Sequence, residues 1–136
     1  MLYTQIPVDE WDEFCEEFTV QHRGWLTTIG LADTQAVDAN PLNPPLKIVA
    51  KQLAFEEIIP KRRNGAEVKL SITVGEQQWR MTHVVHGPLQ IWAEQSDEGA
   101  HRGLRVDSAM GKTLLLRFRV ASVPETLDGL AESELR

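Results

Sequence analysis

Apolar positions follow two periods along this chain, a helical one near the start and an alternating one through most of the rest. After Ile6-Pro7, the residues Trp11, Phe14, Cys15 and Phe18 recur at i, i+3, i+4 and i+7, which marks one face of a helix. Pro7 suits a first helical turn, where a missing N–H costs little. Asp9, Glu10, Asp12, Glu13, Glu16 and Glu17 fill the other faces, and no lysine or arginine precedes Arg23. A strand, Gly24-Trp25-Leu26-Thr27-Thr28-Ile29, follows at once.

The stretch from Leu31 to Pro45, rich in Asp, Asn, Ala and Pro, predicts an irregular connection with a short strand near Ala36-Val37. Leu46 to Ile59 fits both periods. Its second half is assigned to a strand because Asn64-Gly65 is a strong hairpin signal. That turn sets Ile59 opposite Leu70 and Phe55 opposite Val74, with Pro60 confining the strand to an edge or a bulge. Val68, Leu70, Ile72 and Val74 then alternate with polar residues, as in a half-buried strand.

Three turns set the remaining registers. A loop over Gly75–Gln78 pairs Val74 with Trp79, Ile72 with Met81, Leu70 with His83 and Val68 with Val85. A turn at His86-Gly87-Pro88 places Val85 opposite Leu89 and His83 opposite Ile91. In the last hairpin a two-residue turn would set apolar positions against polar ones. A three-residue turn, Ala109-Met110-Gly111, pairs Val106 with Leu114 and Leu104 with Leu116, with glycine at the left-handed position.

These elements predict an α+β fold. An N-terminal amphipathic helix precedes six to seven mainly antiparallel strands, in a strongly bent sheet or a small β-barrel with the helix over one opening. An open sheet with the helix across one face is the alternative. Residues 1–123 form a single domain, and 124–136 an acidic tail in which Leu127, Leu130 and Leu135 form a short helix or fray.

Composition narrows the partners. The 136 residues, 42% apolar and 25% charged, suit one globular domain with a core that needs no disulfide or metal. The net charge of −6 is uneven: residues 1–20 carry −6, residues 124–136 carry −3, and the body between them +3. The acidic residues read first as a solvated helix face, and the alternative sets that face beside basic groups of its own body or of a second subunit. Lys61-Arg62-Arg63, the one basic run, approaches a turn, which argues against nucleic-acid binding. Cys15 is the single cysteine, so no intramolecular disulfide forms, in keeping with a reducing cytoplasm. No signal-peptide pattern is present, nor any apolar run near the roughly 18 residues of a membrane span. A cytoplasmic protein without membrane partners is expected.

Candidate chemistry is sparse. His83-Val84-Val85-His86 does not read as a metal pair, because strand residues three apart face opposite sides. Cys15 sits on the helix core face and His101 in a separate turn, so no metal site is assembled. His83 falls on the inner face, as a core histidine or as a ligand-binding or proton-transfer group at a barrel mouth. Ser71 and Ser108 lack a nucleophile-elbow context, and Cys15 lacks a cationic neighbour. Gly99-Ala100-His101-Arg102-Gly103 reads as a hairpin turn, with Asp97 and Glu98 as solvated acids. No catalytic residue and no cofactor motif is assigned. On the outer face, Trp92, Leu115, Arg117 and Arg119 project away from the inward series, and tryptophan and arginine are enriched at interfaces. Trp92, Arg117 and Arg119 are the expected contact surface.

Ile6-Pro7, Trp11, Phe14, His22-Arg23-Gly24-Trp25-Leu26, Met81-Thr82-His83 and Leu115-Leu116-Arg117-Phe118 give the chain a likeness to a family. It resembles a bacterial family of small proteins carrying a domain of unknown function, over most of its length to about Val123. The resemblance implies a similar fold in a bacterial, cytoplasmic protein and supplies no substrate. The functional expectation is a small self-associating interaction module, a homodimer. A ligand-binding protein or minor enzyme with a pocket around His83 is the alternative.

Overall fold

The computed structural model describes residues 2–63 and 66–119. Ten elements carry the fold: β1 (Leu2–Ile6), α1 (Trp11–His22), β2 (Leu26–Asp33), α2 (Thr34–Ala39), β3 (Lys47–Arg63), β4 (Ala66–Val74), β5 (Met81–His86), β6 (Pro88–Gln95), β7 (His101–Ser108) and β8 (Lys112–Phe118). The strands form one eight-stranded antiparallel sheet in the order β1-β6-β7-β8-β2-β3-β4-β5. The α+β class is as expected, whereas the sheet has eight strands and does not close into a barrel.

The additional strand is β1, five residues ahead of Pro7 whose pairing partner β6 lies far along the chain. The expected short strand at Ala36-Val37 is instead the helix α2, and Leu46–Ile59 is resolved as strand from Lys47 onward. The acidic tail and the Asn64-Gly65 turn itself lie outside the described residues.

Strand β3 makes the bend. Its first half, to Ala54, pairs with β2, and from Phe55 it pairs with β4. At the change-over Gln52 takes φ 51° and register shifts occur in both ladders. Where β3 leaves β2, one side of its backbone would be bare, and the end of α1 covers it. Gly24 N–H donates to Phe55 O (2.7 Å), Phe55 N–H to Trp25 O (2.8 Å), and Arg23 Nε to Glu56 O (3.2 Å). Ile58 N–H donates to Thr19 Oγ1 at 3.1 Å. A buried backbone donor needs such a partner, so a helix with a threonine here does the work of a neighbouring strand.

Two register steps in the β3–β4 ladder cancel. Phe55 stands opposite Val74 as expected, but Ile59 meets Ser71, not Leu70. Ile58 is therefore the inward residue, 2% exposed, and Ile59 is 39% exposed. Pro60 is tolerated because, among the described residues, β4 is the only strand beside this half of β3.

The β4–β5 register is offset by two residues from expectation. Val74 faces Met81, Ile72 faces His83 and Leu70 faces Val85, because a 3-10 turn at Gln77–Trp79 lengthens the loop. An even offset keeps each side chain on its expected face, and Trp79 is left 81% exposed.

β5 and β6 do not pair, contrary to the expected hairpin at His86–Pro88. Their ends are at most about 8 Å apart, at 3.8 Å per residue. Along the sheet six strand spacings separate them, about 29 Å if flat. The sheet must therefore curl back on itself, and Gly87, at φ 62°, turns the chain from one sheet edge towards the other. Leu89, expected inward, is 56% exposed where the β6–β7 register shifts. The β7–β8 hairpin has the expected pairs, Val106 with Leu114 and Leu104 with Leu116, and Gly111 at φ 77°.

The core lies inside the curl. Trp11, Cys15 and Phe18 of α1 meet Ile29, Phe55, Leu70, Ile91, Leu104 and Leu116 from the strands. Arg62 bridges to Asp12 at 2.9 Å, a contact between the acidic helix and a basic group of its own body, with Asp12 itself exposed. No helix among the described residues is long and apolar enough to cross a membrane.

Candidate interaction surface

The apolar stripe of α1 continues one step beyond Phe18, to His22. That ring is fully buried, with ring centroids of Phe18 at 4.3 Å, Trp25 at 4.6 Å, His101 at 4.8 Å and Phe118 at 4.9 Å. Its Nδ1 lies 2.9 Å from Phe18 O, and its Nε2 lies 3.0 Å from His101 Nδ1. A carbonyl only accepts, so His22 Nδ1 carries a proton, and in the neutral ring Nε2 is then the acceptor for His101 Nδ1–H. Both His22 nitrogens are committed, which makes the pair a tie between α1 and β7. The residues stand 79 apart in sequence, and the signal for the contact was a histidine in phase with an apolar stripe.

His83 sits on the inner face of edge strand β5, opposite Ile72. Burial, and after it the charge of His86, lower its pKa from the ordinary 6.5. The folded protein then binds fewer protons than the unfolded chain below about pH 6.5. Its share of stability is intact above that value and is lost as pH falls through the folded pKa. His83→Gln should therefore lose less stability than wild type between about pH 7.5 and about pH 5.5 in urea titrations, and equal losses would contradict this.

The outer face of β6, β7, β8 and β2 is largely covered by the protein itself. α2 and the loop after it cross this face like a strap. Arg105 Nη2 holds Asp38 at 2.7 Å, and Arg117 donates to Pro41 O at 3.0 Å and Leu42 O at 3.4 Å. Arg117 Nε also meets Glu94 Oε1 at 3.2 Å, and Glu94 is only 1% exposed. Burial opposes the charge of Arg105, but its hydrogen bonds to Asp107 and Asp38 outweigh that and raise its pKa. Leu115 is 1% exposed. Of the expected contact residues, Arg117 is engaged within the chain, Arg119 is exposed, and Trp92 is half-buried between Gln5 and Arg105. The Trp92 indole N–H is buried and has no hydrogen-bond partner among the described residues.

Beyond Trp92 the strap ends and the sheet opens. β1 is the last strand, and Leu2, Tyr3, Thr4 and Gln5 are all exposed. Leu2 is 54% and Tyr3 37% exposed. Burial, and then the nearby Glu94 carboxylate, raise the Tyr3 pKa. The strand Leu-Tyr-Thr-Gln-Ile carries no charge, no proline and no bulge, so among the described residues it lacks these guards of a sheet edge. Trp11 Nε1–H donates to Ile6 O at 2.9 Å and fixes the end of the strand to α1. The opposite edge differs, since β5 is mostly half-buried and carries His83 and His86.

Two grooves also lie on the surface among the described residues. A groove of about 410 Å³ lies between α1 and β3, lined by Asp12, Cys15, Thr19, Val20 and Ile59 among others. A second of about 520 Å³ lies beside the Gly75–Arg80 loop. Neither contains His83. Among the described residues no group of three or more His, Cys, Asp or Glu side chains is placed to hold a metal ion. Comparison with protein-family models, with curated proteins and with solved structures finds no match to this chain.

Proposed function

We propose that the protein is a small self-associating interaction module whose working surface is the β1 end of the sheet, flanked by Tyr3 and Trp92. One observation carries this reading: among the described residues β1 is an uncharged, unguarded edge whose exposed side chains include a leucine and a tyrosine. Such an edge is a template for another strand, and main-chain hydrogen bonds supply the affinity. The cover over Arg117 moves the surface from the arginine face first expected to the strand beside it. The likeness to a bacterial family is consistent with a cytoplasmic setting and adds no substrate.

A seam of this length falls short of the roughly 1,200 Å² that stable complexes bury, so the association is weak, micromolar or weaker. Sedimentation velocity from about 10 µM to about 500 µM should show a mass that rises from monomer towards dimer. A constant monomer mass across that range contradicts the proposal.

A further inference from the structure

We infer that the partner at this edge is a second copy of the chain, with the two β1 strands antiparallel about a two-fold axis at Thr4. This rests on the self-association proposed above and names its occupant and register. The strand reads as its own complement. Antiparallel pairing centred on Thr4 sets Leu2 opposite Ile6 of the second copy, Tyr3 opposite Gln5, and Thr4 opposite Thr4. Like sits with like: Leu2, Thr4 and Ile6 share one face, and Tyr3 and Gln5 the other.

Charge permits a second copy here. A charged edge would repel its own image across a two-fold axis, and Leu2–Ile6 has no charged residue although residues 1–20 carry −6. The alternative strand pairing, β1 of one copy on β5 of the next, is head-to-tail and would leave new edges to propagate. Pairing β1 with β1 closes after two copies. It also continues the outer cross-strand row, running Arg105, Trp92 and Gln5, then Tyr3 and Glu94 of the second copy.

A charge exchange tests the register in the full-length chain. Tyr3→Lys with Gln5→Lys places like charges opposite each other twice and should weaken association about tenfold or more. Tyr3→Lys with Gln5→Glu places opposite charges there and should retain it. Both positions are exposed, and a lysine at position 3 lies beside Glu94, so each variant is expected to fold with an unchanged melting temperature.

A second pair of variants reads the axis directly. Facing Cα atoms in an antiparallel pair are about 4.5–5.5 Å apart, within disulfide range. Thr4→Cys should therefore form an intermolecular disulfide on mild oxidation, and Tyr3→Cys, displaced from its own image, should not. Both results together support the inference. If wild type and both charge variants dimerise equally, the chain self-associates elsewhere and this register is wrong. If both charge variants are monomeric while wild type dimerises, or Tyr3→Cys crosslinks as readily as Thr4→Cys, the edge is used in another register and the inference falls. If wild type is monomeric throughout, the self-association reading fails with it, and the edge serves another segment or a different partner.

Discussion

Gly103→Ala should be among the most damaging single-atom-group additions in this protein, lowering unfolding free energy by at least about 3 kcal/mol. Gly103 lies inside β7, not in the turn where sequence pattern placed it, with φ 156°. A Cβ there would collide with Leu116 O and stand 2.9 Å from Arg117 Cα, both backbone atoms that cannot rotate away. The β7–β8 ladder would have to part. A second consequence follows from the pairing Glu94–Gly103–Arg117 across three strands. With no side chain on the middle strand, Arg117 reaches over Gly103 to Glu94. Parting the strands there would disturb this part-buried ion pair and loosen the strap that Arg117 holds. Urea denaturation checks the loss, and a change below about 1 kcal/mol would show that the strands tolerate a methyl group here.

His22→Ala should cost about 3–5 kcal/mol, in the range of other buried ring truncations. The ring fills a space bounded by Phe18, Trp25, His101 and Phe118 and ties the last turn of α1 to β7. His22→Leu separates the two contributions. Leucine restores most of the volume but neither hydrogen bond, so it should cost about 1–3 kcal/mol. Equal losses for the two variants would mean that the hydrogen bonds, not the packing, dominate. For a domain whose total stability is about 5–15 kcal/mol, either variant is a sizeable fraction of the whole.

Local signals read the fold well where an element's partner is its neighbour in sequence. The Ala109-Met110-Gly111 turn fixed the β7–β8 register because glycine and the apolar phase agree on one solution. The β4–β5 offset preserved faces because parity survives an even insertion, although nothing in Gly75–Arg80 signals the 3-10 turn that makes it. The Phe55–Val74 pair was legible only because two bulges cancel. What the pattern did not contain was long-range choice. Gly87 marks a turn, but a turn does not say whether the next strand pairs back or crosses to the far side of a curled sheet. β1 is too short for its alternation to stand out, and its partner β6 lies more than eighty residues on.

The candidate surface shows the same division. Outward Trp92 and Arg117 followed correctly from strand parity, but the strap that engages Arg117 comes from residues that pattern left irregular. The unguarded edge became visible only once β1 was known to be a strand at the end of the sheet. Sequence pattern placed His101 in a turn and left His22 off the helix face, whereas the fold sets them in contact at the start of β7 and the end of α1.

Amide hydrogen exchange at low and high protein concentration tests the central claim most directly, because it reports both whether the chain self-associates and where. Raising the concentration should slow exchange within Leu2–Ile6 and leave the α1–β3 groove and the Gly75–Arg80 loop unchanged. Protection gained along α1 or β5 instead, or no change in any segment across the range, would contradict it.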